Sequence, residues 1–166
     1  MRTLCLMLLL AAPAAALGVG DPAPAFKAPL HDGAEFTLDS RKGMWTVLYF
    51  YPKAETPGCT KQACAFRDAI APIREAGAEV FGVSINSVKD QAAFHEKHHL
   101  NFPLIADADG AIARLYGTKM PMLPMSKRWT FLIDPDLKVR GVKKGADPVT
   151  DAARVAAELK ALQAKK

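Results

Sequence analysis

The chain has 166 residues, 50% of them hydrophobic and 23% charged, with a formal net charge of +5 at neutral pH. That length and balance describe one globular domain with a single core and exclude a disordered or fibrous chain. The basic residues are scattered and the closing Lys165-Lys166 pair is too short to form a binding patch, so no nucleic-acid partner is expected.

Arg2 precedes the apolar run "LCLMLLLAAPAAA", and Ala14-x-Ala16 places small residues where a signal peptidase cuts. The run is short for a membrane span and contains Pro13. Residues 1–16 therefore read as a cleaved signal peptide and 17–166 as the folded domain, with a retained anchor or a buried first strand as the alternatives. The expected location is periplasmic or secreted rather than cytoplasmic, with no stable membrane association after cleavage. Cleavage also removes Cys5 and leaves two cysteines, Cys59 and Cys64.

The Pro-rich "GDPAPAFKAP" is an extended lead-in, and His31-Asp32-Gly33 is a turn before the short alternating strand "AEFTL". "WTVLYFY" (45–51) is a continuous apolar, β-branched and aromatic run, the pattern of a buried central strand that Pro52 stops. A helix is predicted from Pro57 toward Glu75 with Gly77 as its C-terminal cap, kinked or cut short by Pro72. "AEVFGVSI" (78–85) is a second buried strand, and 87–100 is a helix with Ser87 as N-cap. A short strand (102–107) and a short helix (109–117) follow. "WTFLID" and "LKVRGVKK" form a hairpin around Pro135-Asp136, and an amphipathic helix closes the chain. Strands alternating with helices predict an α/β sheet with helices on both faces.

The chemistry concentrates in "YPKAETPGCTKQAC" (51–64), just past the carboxyl end of the central strand, the side on which such sheets bind ligands. With Thr56 as N-cap and Pro57 at the first helical position, Cys59 falls inside the first turn. Unpaired N–H groups and the positive end of the helix dipole there favour a thiolate, and Lys53 and Lys61 can add to this. Gly58 admits close approach, and the Thr56 hydroxyl can donate and accept a hydrogen bond.

Cys64 lies five residues on. In an ideal helix that spacing puts the two Cα atoms roughly 8–9 Å apart, beyond the limit of about 7 Å for a disulfide. Either the helix does not form there, or it unwinds each time the bond forms. A redox-active cysteine pair follows, with an inert structural disulfide as the bland alternative. "HEKHH" (95–99) formally matches a zinc-protease pattern, but no third ligand is evident. An exported thiol–disulfide oxidoreductase is a further alternative, although Cys-x-x-Cys is missing.

The segment "YPKAETPGCTKQACAFRD" resembles the active-site segment of the peroxiredoxins, specifically the PrxQ or bacterioferritin-comigratory-protein type. Pro52, Thr56 and Cys59 match the family pattern Pro-x-x-x-Thr-x-x-Cys, and "GDPAPAF", "GAEVFGVS", "FHEKHHLNFPLIAD" and "KRWTFLID" keep its order and spacing. The resemblance implies a thioredoxin-like fold with a central mixed sheet flanked by helices. It implies reduction of hydrogen peroxide and organic hydroperoxides, with Cys59 peroxidatic, Cys64 resolving through an intramolecular disulfide, and Arg128 stabilising the thiolate. Thr56 would bond the peroxide and Pro52 would shield the site. It also implies a thioredoxin-like or glutaredoxin-like reductant, a monomer, and no metal or organic cofactor. Gln62 stands where relatives often have Glu, a change that removes a charge but no catalytic group, and "KMPMLPMSK" (119–127) departs from the usual loop. Met120, Met122 and Met125 are expected to line a pocket wall or the core, and Trp45 and Trp129 to be core or pocket aromatics.

Overall fold

The computed structural model describes residues 17–164, so the expected signal peptide lies outside the described residues. The lead-in contains β1 (Lys27–Pro29), which pairs antiparallel with β2 (Glu35–Thr37) across the turn at His31-Asp32-Gly33. A turn of 3-10 helix (Leu38–Arg41) leads to β3 (Trp45–Phe50), whose six residues are all buried. Helices α1 (Pro57–Asp68) and α2 (Ile70–Glu75) precede β4 (Ala78–Ser84), and α3 (Val88–Lys97) precedes β5 (Leu104–Ala106). The short α4 (Ala111–Leu115), the β6 (Trp129–Ile133) and β7 (Val139–Lys144) hairpin, and α5 (Asp151–Gln163) complete the fold.

The five-stranded sheet runs β5-β4-β3-β6-β7. β3 pairs parallel with β4 and antiparallel with β6, so the sheet is mixed. Side chains of β3 alternate between two cores, as a strand's period of two demands. Val47, Tyr49 and Tyr51 face α1, α2, α3 and α5 through Phe66, Ile73, Phe94 and Val155. Leu48 and Phe50 face the β1–β2 hairpin and α4 through Phe36 and Ile112. Helical cover on both faces explains why "WTVLYF" carries no polar alternation.

The helix expected from Pro57 toward Glu75, kinked or cut short by Pro72, is broken into two. Its break at Ala69 falls before Pro72, because the proline ring clashes with the carbonyl four residues earlier, that of Asp68. Gly77 has φ +67° and closes α2, as expected of a C-terminal cap. Ser87 caps α3 reciprocally with Asp90, its hydroxyl accepting from the Asp90 N–H at 3.1 Å. The helix then ends at Lys97, leaving His99 in a left-handed turn at φ +48°. His95 instead stacks on His31 with ring centroids 3.8 Å apart, so the two ends of the zinc-like pattern do not share a helical face. Among the described residues no three potential ligands cluster as a metal site.

The methionine expectation fails at the loop tip. Met122 is fully exposed and only Met120 and Met125 are half-buried, because the loop is braced by its backbone and by Lys119 rather than by its side chains. Trp45 is buried as expected, while Trp129 is half-buried between the Lys127 and Lys144 ammonium groups. Tyr49 stacks on Phe66 opposite Gly82, where an added Cβ would lie 2.7 Å from the tyrosine oxygen. The Tyr49 hydroxyl is buried without a hydrogen-bond partner. An unsatisfied buried hydroxyl costs about 1–3 kcal/mol. Tyr49→Phe is therefore expected to leave stability unchanged or raise it by about 1 kcal/mol. Urea unfolding of the reduced protein checks this; a clear loss of stability would show that the hydroxyl has a partner.

Candidate active site

β3 delivers the chain to the site, and Tyr51 extends the sheet by one bond to the Val83 carbonyl at 3.0 Å. The loop that follows is pinned from below by a buried amide network. The Ala54 N–H donates to Asn86 Oδ1 at 3.1 Å, and Ser84 Oγ donates to the same oxygen at 2.9 Å. Gln91 Nε2 donates to Ser84 Oγ and to the Ile105 carbonyl, and Gln91 Oε1 accepts from the Tyr51 hydroxyl. Glu55 adopts a left-handed conformation at φ +64° and is tied to α3 by Lys97 and His98. The loop before the cysteine is thus held in one shape from two sides.

Thr56 occupies the N-cap position of α1, but its hydroxyl does not cap the helix. It donates to the Lys53 carbonyl at 3.0 Å, so what it offers outward is an acceptor. Pro57 opens the helix, and the first helical bond runs from the Thr60 N–H to the Thr56 carbonyl at 2.9 Å. The N–H groups of Gly58 and Cys59 therefore lack helical acceptors.

Cys59 is 1% exposed. Arg128, on the residue before β6, brings Nη2 to 3.5 Å from Cys59 Sγ. Its backbone is fixed by the Ala146 N–H, which donates to the Arg128 carbonyl at 3.0 Å. Lys53 and Lys61 are exposed, so the fixed positive charge beside the sulfur is the guanidinium and not an ammonium. Gly58 makes the approach possible, since a Cβ there would lie 3.1 Å from Nη2. Cys64 is a half-buried free thiol further along the unbroken α1, so the helix holds the two sulfurs on separate turns. Pro52 is half-buried where β3 gives way to the loop.

The sequence shows residue 62 only as a place where a charge is lost, and the structure adds that its side chain is bonded at both ends. Gln62 is completely buried, and its Oε1 accepts from Arg128 Nη1 at 2.7 Å. Its Nε2 donates to Asp151 Oδ2 at 2.9 Å, an oxygen that also accepts from Thr130 Oγ1 at 2.6 Å. Helical periodicity held the signal: Cys59, Gln62, Ala63 and Phe66 form the buried stripe of α1, and a glutamine in such a stripe needs partners. Asp151 lies at the start of α5, and nothing in the sequence around it points to a partner 89 residues away.

The site is thus a buried first-turn cysteine beside a guanidinium, at the end of the middle strand of a mixed sheet. Residues 19–142 match the AhpC/TSA family, and the chain belongs to that family, the peroxiredoxins, as a thiol peroxidase. Peroxiredoxin Bcp of Escherichia coli is 39% identical over 132 residues, spanning 76% of this chain and 85% of that one. The crystal structure of peroxidoxin BcpB from Mycobacterium tuberculosis superposes with a TM-score of 0.84 at 36% identity, covering 88% of this chain and 98% of that one. A bacterioferritin comigratory protein of Xanthomonas campestris, studied for alkyl peroxide reduction, superposes with a TM-score of 0.78 at 34% identity, covering 82% and 91%. The fold is accordingly the thioredoxin-like peroxiredoxin fold.

Gly58→Ala separates the site from the helix that carries it. Alanine is the better helix former by up to about 1 kcal/mol, so stability is expected to hold or rise. The guanidinium must move by a few tenths of an ångström, so the reaction of Cys59 with peroxide is expected to slow severalfold. Stopped-flow oxidation beside a thermal melt reads both; an unchanged rate would show that Arg128 tolerates displacement.

Proposed function

We propose that the chain reduces hydrogen peroxide and alkyl hydroperoxides through Cys59 and Cys64, acting as an atypical two-cysteine peroxidase. The observation that carries this reading is Arg128 Nη2 at 3.5 Å from the sulfur of a buried first-turn cysteine. A fixed guanidinium and two free N–H groups stabilise negative charge on the sulfur, and later on the oxygens of a breaking O–O bond. At 1% exposure, Cys59 is out of reach of the disulfide of a folded protein while α1 is intact, which favours a small peroxide over a protein substrate.

The thiolate attacks the terminal peroxide oxygen. The O–O bond breaks, an S–O bond forms, and the alkoxide or hydroxide takes a proton and leaves as alcohol or water. Cys59 is then a sulfenic acid, oxidised by two electrons. The Thr56 hydroxyl, its own hydrogen committed to Lys53, accepts from the peroxide O–H and orients it. Pro52 limits water at the loop. The Cys64 thiol then condenses with the sulfenic acid, releasing water and forming a disulfide. Because α1 holds the two residues about 8–9 Å apart between Cα atoms, its first turns unwind for this step. An external dithiol of the thioredoxin or glutaredoxin kind returns both thiols and leaves as its own disulfide.

Peroxide consumption with dithiothreitol tests this reading. Consumption by the wild type is expected to fall to the reagent's background in Cys59→Ser. Cys64→Ser is expected to accumulate a sulfenic acid that over-oxidises with excess peroxide. If all three proteins consume peroxide only at background, the reading fails.

A further inference from the structure

The polar chain behind Cys59 runs across three elements. Arg128 precedes β6, Gln62 lies in α1, and Asp151 opens α5. Gln62 and Asp151 are 0% and 1% exposed, so neither group has water as an alternative partner. A glutamine amide has a donor end and an acceptor end, and which end faces Arg128 is set by its other neighbour. An ionised carboxylate only accepts. Asp151 Oδ2 at 2.9 Å from Nε2 therefore turns the NH₂ toward α5 and presents Oε1 to the guanidinium. With the amide reversed, two N–H donors would face each other where Arg128 Nη1 now makes its 2.7 Å bond.

Charge follows the same arrangement. Asp151 is itself held by Thr130 and by Arg154, which bonds Oδ1 through Nε at 3.1 Å and Nη2 at 2.7 Å. Arg128 forms no ion pair among the described residues. A neutral bridge transmits orientation from Asp151 without cancelling the guanidinium charge, which stays available to the sulfur. A glutamate at 62 would neutralise Arg128 and place a second carboxylate against Asp151, so the glutamine and the aspartate suit each other.

We propose that Asp151 is a positioning residue for Arg128, acting through Gln62 to fix the guanidinium against Cys59. This rests on the reading of Cys59 as the reactive thiolate. The titratable groups packed about the sulfur are Arg128 from the start of β6, Tyr49 from β3 and Tyr51 just beyond it, and Asp147 feels the charge of Arg128 without pairing with it. Burial pushes both phenols well up, so neither changes charge near neutral pH.

The test is iodoacetamide alkylation of Cys59 in the reduced protein, in a Cys64→Ser background, followed by mass spectrometry across pH 5–9. In Asp151→Asn, whose amide can either donate or accept, the rate at neutral pH is expected to fall about fivefold and the profile to move to higher pH. Gln62→Met, which removes both ends of the amide, is expected to reproduce the slow profile and serves if Asp151→Asn does not fold. Adding Asp151→Asn to Gln62→Met is expected to slow alkylation no further. A wild-type profile in either single variant overturns the proposal. So does a double variant slowed by the product of the two single effects, because Asp151 would then act without Gln62. Alkylation needs no peroxide, so a wild type inert to peroxide would sink the peroxidase reading while leaving this comparison decided on its own terms.

Discussion

Arg128 must place a permanent charge 3.5 Å from a sulfur that is almost fully buried, and much of the molecule is arranged to meet that demand. An arginine at the mouth of a strand is a long, flexible group whose ordering costs up to about 2 kcal/mol of side-chain entropy. Three constraints supply the order. The Ala146 N–H fixes its backbone, Gly58 leaves room for its head, and Gln62 accepts from the nitrogen that does not face the sulfur. The guanidinium is preorganised, so little rearrangement is needed as charge develops on a substrate.

The helix that places Cys59 in its first turn keeps Cys64 away from it. In the reduced state α1 runs unbroken from Pro57 to Asp68, and both cysteines are free. The proposed disulfide therefore exchanges helical structure for a covalent bond. Pro72 limits the exchange: by forcing the break at Ala69 it makes α1 a separate 12-residue helix, so unwinding its first turns need not disturb α2. Ala63 and Phe66 are completely buried and anchor the remainder of α1 against the core. Release of the first turns must break the Gln62 bonds to Arg128 and Asp151, so the network that holds the site also opposes the step that empties it.

Much of this was legible in the sequence because the signals were local. The buried run 45–50, the turn residues at His31-Asp32-Gly33 and Pro135-Asp136, the Ser87 cap and the first-turn position of Cys59 each depend on neighbours within a few residues. The site motif was legible as a resemblance, and Arg128 was found by its place before "WTFLID". What escaped depends on tertiary contacts. Nothing near Asp151 announces a bond to a residue 89 positions away, and Gln62 looks like a neutral replacement until its burial is known. The Thr56 hydroxyl turned back to Lys53 instead of capping, and the methionine loop stayed in solvent, because local backbone acceptors won over the patterns the sequence suggested.

In the proposed cycle α1 is built for the reduced protein and must open for the oxidised one. Hydrogen exchange on peptides spanning 57–68, before and after one equivalent of peroxide, measures it directly. Protected amides are expected in the first turns of the reduced protein, with loss of that protection as the Cys59–Cys64 disulfide appears and β3 unchanged. Equal protection in both states, with Cys64 still a free thiol after Cys59 has been oxidised, would contradict it.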